Sequence, residues 1–194
     1  AGGLSLGEYT ALAATGALSF EEGLRLVALR GHAMQGASDA LPSGMTSVLG
    51  LERKVAEELC AAVAHETGKI IQVANLNSPG QIVVSGENMA LDMFEFKAPE
   101  SGARKVVRLD VAGAFHSEVM RPASDALGEA LESATFKEPS CPVWQNATAL
   151  SSSDPSTLKG NLASQLTSAV LWEDSFRDMA SKSGDEPFLE PAPG

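Results

Sequence analysis

Only two cysteines and three histidines occur among the 194 residues, and the 14 basic residues are outnumbered by 25 acidic ones. Each scarcity removes a class of function. Cys60 and Cys141 match no metal-binding or redox spacing, so both are expected as reduced core residues and no metal site is expected. No apolar run approaches the ~20 residues that cross a bilayer. A formal net charge of −11 argues against nucleic acid or an anionic membrane as a partner. What the chain does have is a hydrophobic fraction of 44% and a charged fraction of 20%, the balance of a globular protein. Its length suits one good-sized domain or a domain carrying a smaller insert.

The order of elements favours the second arrangement. "LGEYTALAAT" predicts a short helix ending at Gly16. "SFEEGLRLVALRGHAM" opens with a capping box, Ser19 to Glu22, and continues at helical spacing. From Met45 to Val111 the pattern is strand "MTSVLGL", helix "ERKVAEELCAAVAHET", strands "IIQVANL" and "QIVVSG" joined through "NSPG", helix "NMALDMFEFKAPESG" and strand "RKVVRLDV". That βαββαβ order is ferredoxin-like and can stand as a compact insert. A loop and helix follow in "GAFHSEVMRPASDALGEALESA", then a strand in "CPVWQNATA" and helices in "LKGNLASQLTS" and "WEDSFRDMASKSG". The end, "DEPFLEPAPG", reads as the start of one more strand. The expected fold is α/β: a main domain from residues 1–43 and 112–194, and a ferredoxin-like subdomain from 44–111.

Chemistry is concentrated first at "GLSLG", where Ser5 stands between Gly3 and Gly7. Gly-x-Ser-x-Gly places a serine on a tight strand-to-helix turn, with the amide of Leu6 at a helix N-terminus. A serine that merely caps the first helix fits the same residues. Arg30 stands among Leu26, Val27, Ala33 and Met34 on one helix stripe. A guanidinium there needs either a structural carboxylate partner or a substrate anion, because an unpaired buried charge is costly. Of the histidines, His65 falls in the last turn of a helix and His32 on a helix edge. His116 closes the segment "VAGAFH" just before a helix begins, where α/β domains place reactive groups and where a helix N-terminus keeps the ring neutral. Gln165 reads as a helix residue and "NLNSPGQ" as a hairpin connection.

In order along the chain, "GLSLGEYTAL", "LVALRGHAMQ", "NLNSPGQIVVSG" and "GAFHSEVMRPA" resemble the signature segments of the malonyl-CoA:acyl carrier protein transacylase family. That family includes the acyltransferase domains of fatty-acid and polyketide synthases. "PVWQNATA" and "QLTSAVLW" extend the likeness over nearly the whole chain. The resemblance implies an α/β-hydrolase-like main domain with an inserted ferredoxin-like subdomain. It also implies Ser5 as nucleophile, His116 as general base, Arg30 as the grip on the malonate carboxylate, Gln165 as an ordering residue and the Leu6 amide as an oxyanion donor. Asn77 is carried over as a substrate-side residue near the cleft. The implied reaction takes malonyl from malonyl-CoA onto Ser5 and then to the phosphopantetheine thiol of acyl carrier protein, with no cofactor. A charge-assisted pair with Arg30 adds about 1.5–3 kcal/mol for malonyl over acetyl.

The likeness further implies a monomer that works in the cytoplasm or an organelle matrix, plastid or mitochondrion. Departures from the pattern are Leu4 where "GHSLG" has histidine, Ala169 where proline is usual, and the ending "LEPAPG". The strand before the elbow and a Gly-Gln-Gly segment that supplies a second oxyanion donor are not in the sequence, which reads as an N-terminally truncated member. Two other readings stay open: a serine esterase, although no histidine follows His116, and a carrier-binding module without catalysis. Lys97, Arg104, Lys105 and Arg108, interrupted only by Glu100, form a strip expected to steer an acidic carrier.

Overall fold

The computed structural model describes residues 1–190. Its most regular part is a four-stranded antiparallel sheet of β1 (Ser43–Leu49), β2 (Ile71–Ser78), β3 (Gln81–Glu87) and β4 (Lys105–Arg108), in the order β2-β3-β1-β4. Two helices, α3 (Arg53–Thr67) and α4 (Asn88–Lys97), complete the βαββαβ unit. The period of two in a strand sends alternate residues to opposite faces. Val48, Ile71, Val73, Ile82 and Val84 pack beneath the helices with Leu59, Val63, Leu91 and Phe94. Met45, Ala74 and Val83 point the other way and meet Leu109 and Phe115. Both faces of this sheet are therefore spoken for, one by its own helices and one by the rest of the chain.

Local rules place the ends of these elements. Gly68 takes φ 65° after α3, the left-handed conformation that glycine adopts freely at a helix end. Pro79 and Gly80, the latter at φ 71°, turn β2 into β3. α4 stops at Lys97, two residues ahead of Pro99.

The main lobe is built on helices: α1 (Leu6–Ala14), α2 (Phe20–Ala40), α5 (Arg121–Ser133), α6 (Pro155–Ser164) and α7 (Trp172–Ser183). Ser19 caps α2, its Oγ accepting from the Glu22 amide at 3.1 Å, as the capping box predicts. Leu12, Leu26, Met120, Leu127, Leu131, Leu158, Leu162 and Leu166 are buried together in one core. Each such side chain contributes about 1.5–3 kcal/mol of burial. The strand expected in "CPVWQNATA" is short: β5 (Val143–Trp144) pairs with β6 (Ser151–Ser152), and Gly2 lies parallel against Trp144. Cys60 is buried as expected, but Cys141 is exposed on the loop leading into β5. The expected terminal strand does not form over 186–190, and its remainder lies outside the described residues.

Candidate active site

The chain enters α1 through a strained residue. Ser5 has φ 51° and ψ −103°, a backbone conformation that costs a non-glycine residue about 1–3 kcal/mol. Asn146 holds it there, accepting from the Ser5 amide at 2.6 Å while its own Nδ2 donates to the Gly3 carbonyl at 2.8 Å. Gly3 is required by space, since a Cβ there would come within 2.0 Å of the Gly7 carbonyl oxygen. The Ser5 side chain makes no capping bond to α1, so the ordinary helix-cap alternative does not describe it. Among the described residues the Leu6 amide, first in the helix, meets no acceptor. It sits at the positive end of the helix dipole.

His116 reaches the same hydroxyl from across the chain. Its Nε2 lies 2.8 Å from Ser5 Oγ and its Nδ1 lies 3.0 Å from the main-chain carbonyl of Gln165. A carbonyl can only accept, so Nδ1 carries the proton and Nε2 is left to accept from the serine. The orienting group is thus a backbone carbonyl rather than a carboxylate. Burial pushes the His116 pKa from 6.5 down to about 4, with the nearby Arg30 charge adding to the fall and the Gln165 carbonyl opposing it. Burial, more than the helix N-terminus expected from sequence, keeps the ring neutral.

The His116 backbone is also unusual, at φ 57°. The sheet face directed toward the main lobe supports it. Ser85 Oγ donates to the Phe115 carbonyl at 2.6 Å, and Gln72 Nε2 lies 3.4 Å from the His116 carbonyl. Gln72 and Ser85 are cross-strand partners in β2 and β3.

Arg30, only 7% exposed, makes no salt bridge among the described residues, so the expected structural carboxylate is not its partner. Its Nη2 donates to Ser5 Oγ at 2.8 Å and approaches Gln165 Oε1 at 3.5 Å, and its Nε is buried without a partner among the described residues. The guanidinium lies 5.8 Å from the centre of the Tyr9 ring. A buried, charged fork with a free N–H beside a serine hydroxyl is poised for an anion that supplies the missing acceptor.

Gln165 is not a solvated helix residue. α6 ends at Ser164, and Gln165–Thr167 tighten into a 3-10 turn that buries the amide. Its Nε2 donates to the Ser5 carbonyl at 3.1 Å and to Glu8 Oε2 at 2.8 Å. Glu8 was not visible from sequence as a site residue. It is fully buried and also accepts from the Asn146 amide at 3.0 Å and from Gln145 Nε2 at 3.3 Å. Burial pushes its carboxyl above the usual range, against the pull of these three donors and of Arg30. All its partners donate, which is the environment of a carboxylate rather than of a carboxylic acid. The one available signal was position: Glu8 stands four residues before buried Leu12 on the inward stripe of α1.

Ser5, Leu6, Arg30, His116 and Gln165 thus converge. Asn77, near the end of β2, makes no hydrogen bond to any of them, and among the described residues its Oδ1 is buried without a partner. His32 and His65 are exposed elsewhere. Among the described residues no cluster of three His, Cys, Asp or Glu side chains could hold a metal, and no helix is long and apolar enough to cross a membrane. The basic strip is half neutralised internally. Lys97 pairs with Glu66, and Arg108 pairs with Glu95 and Asp92, leaving Arg104 and Lys105 exposed and without a salt bridge among the described residues.

The chain is similar over nearly its whole length to known proteins of one family. The acyl transferase domain family matches residues 2–193. The malonyl CoA-acyl carrier protein transacylase of Bacillus subtilis (strain 168) is 38% identical over 192 residues, covering 99% of this chain and 60% of the relative. The solved malonyl CoA-acyl carrier protein transacylase of Coxiella burnetii superposes with a TM-score of 0.89 at 34% identity, over 94% of this chain and 57% of that one. One chain of a solved complex between a type II polyketide-synthase acyl-carrier protein and its malonyl-transacylase matches with a TM-score of 0.88 at 32% identity, over 94% of this chain and 58% of that one. The chain spans about 60% of the length of the curated relatives it matches. The fold class is accordingly α/β, a hydrolase-like main lobe with a ferredoxin-like insert.

Proposed function

The chain belongs to the acyl transferase domain family, and from that premise we propose that its site transfers a malonyl group from malonyl-CoA to the phosphopantetheine thiol of an acyl carrier protein. The observation that carries this reading is that His116 Nε2 and Arg30 Nη2 both lie 2.8 Å from Ser5 Oγ. His116 takes the hydroxyl proton as Oγ attacks the thioester carbonyl. The Leu6 amide donates to the oxyanion, and collapse of the tetrahedral intermediate expels the coenzyme A thiolate, which takes the proton from His116. The carrier thiol then repeats the sequence in reverse on the malonyl-Ser5 ester. Every step uses side chains and backbone of the chain with the two substrates, so no cofactor enters.

Arg30 supplies the selectivity: the free carboxylate of malonyl satisfies the guanidinium, and acetyl leaves it unpaired. The domains are read as 1–43 with 112–194, and 44–111. Carrier docking is assigned to Arg104 and Lys105, the exposed remainder of the basic strip. Incubating the chain with malonyl-CoA and mapping it by mass spectrometry tests the reading. A malonyl adduct on Ser5, absent in Ser5→Ala and removed by holo carrier protein, is the expected result. An unmodified Ser5 overturns it.

A further inference from the structure

Between Arg30 and Glu8 stands a single side-chain amide. Gln165 turns its Oε1 to Arg30 Nη2 at 3.5 Å and its Nε2 to Glu8 Oε2 at 2.8 Å. A primary amide has one accepting and one donating end, so whichever neighbour holds the donating end decides what the other end offers. Glu8 has no freedom in the matter. It is fully buried, and its two oxygens already face the Asn146 amide and Gln145 Nε2, both donors. Gln145 is itself fixed, donating to the Leu158 carbonyl at 2.8 Å and accepting from Asn161 Nδ2 at 2.8 Å. The carboxylate is therefore an immobile acceptor for the Gln165 Nε2 that also reaches the Ser5 carbonyl.

We propose that Glu8 is a positioning residue for acyl-group selectivity: it locks the Gln165 amide so that an oxygen, and not an N–H, faces Arg30, and thereby keeps the guanidinium at Ser5 Oγ. Resting on the acyl-transfer reading above, this names the residue that holds that site's selectivity in place. Glu8 touches neither the hydroxyl nor the imidazole. Its effect reaches them through Gln165, which also donates to the Ser5 carbonyl and accepts from His116 through its own main chain. Replacing Glu8 by glutamine keeps the shape and removes the charge. Its oxygen takes the place of Oε2 toward the Asn146 amide and Gln165 Nε2, and its N–H meets Gln145 Nε2, donor against donor. Gln165 Nε2 thereby loses its charge-assisted acceptor, and only the Ser5 carbonyl and a neutral, crowded amide remain to hold Oε1 toward Arg30.

The experiment measures Ser5 acylation by malonyl-CoA and by acetyl-CoA in the same chain, with melting temperature as the control for folding. Expected for Glu8→Gln is a roughly tenfold fall in the malonyl-to-acetyl ratio of kcat/KM, the factor carried by one charge-assisted hydrogen bond. The fall should lie in KM for malonyl-CoA, with acetyl labelling within about threefold of the starting protein. A residue that merely stabilised the fold would lower both rates together. Glu8→Asp, which keeps the charge on a shorter arm, should hold the ratio closer to the starting value, and it decides the question if Glu8→Gln does not fold. An unchanged ratio in folded Glu8→Gln, or equal losses with both donors, overturns the proposal and leaves acyl transfer standing. Absence of any label on Ser5 in the unsubstituted chain overturns acyl transfer and this proposal with it.

Discussion

Lowering the pH separates a buried general base from an ordinary histidine. Burial holds His116 at about 4, against an ordinary 6.5. At about pH 5.5 a base titrating near 4 is roughly 97% neutral, whereas one titrating near 6.5 is roughly 9% neutral. The kcat/KM for acylation of Ser5 by malonyl-CoA reports the free enzyme's base. It should stay flat from neutral pH to about 5 and fall to half near 4. The same shift has a consequence for folding. Because the folded pKa is depressed, the unfolded chain binds the proton first, so stability present above 6.5 is lost as pH falls toward 4 and through it. The full loss is about 3 kcal/mol, of which about 2 kcal/mol falls between about pH 7 and pH 5. Urea unfolding of the protein beside His116→Asn, at both pH values, subtracts every other titrating group. An acylation profile that bends near 6.5, or a stability difference that does not change with pH, would refute the assignment of a buried neutral imidazole.

Three further outcomes follow from the same geometry. Arg30→Met should lower kcat/KM for malonyl-CoA roughly 10–100-fold and spare acetyl-CoA, since a charge-assisted hydrogen bond contributes about 1.5–3 kcal/mol; paired labelling rates measure this. The two glycines around Ser5 should part company in thermal melts. Gly3→Ala drives a Cβ against the Gly7 carbonyl oxygen at 2.0 Å and destabilises by more than about 1 kcal/mol, while Gly7→Ala meets nothing and gains about 0.5–1 kcal/mol of helix propensity. Ser85→Ala removes the donor to the Phe115 carbonyl and costs about 1–3 kcal/mol, and acylation should slow as the His116 backbone loses its support.

Much of the fold is written locally. Alternation in "IIQVANL" and "QIVVSG", the Pro79–Gly80 turn, the Ser19–Glu22 box and the glycine after α3 each act within a few residues, so the ferredoxin-like order was readable before any tertiary contact. Readings failed where a residue's surroundings come from elsewhere. Cys141 looked like a core residue by type and sits in an exposed loop. Half the basic strip is consumed by Glu66, Glu95 and Asp92, carboxylates on neighbouring helices. Glu8 carries no sequence reading at all, because its partners Gln145, Asn146 and Gln165 come from the far end of the chain.

Residue types and short spacings by themselves determined the elbow at Ser5, the ferredoxin-like unit, and Arg30 and His116 as the groups worth watching. Backbone sterics and side-chain periodicity operate over three or four positions, and a single chain displays them in full. Only the tertiary structure decided that Arg30, His116 and Gln165, 25, 111 and 160 residues from Ser5 along the chain, bond to that one residue. It alone decided that a backbone carbonyl orients the His116 imidazole, and that the buried carboxylate of Glu8 faces an amide instead of that ring. Those choices depend on which polar groups packing leaves buried together. A buried donor must find an acceptor wherever the fold puts one, at whatever distance along the sequence.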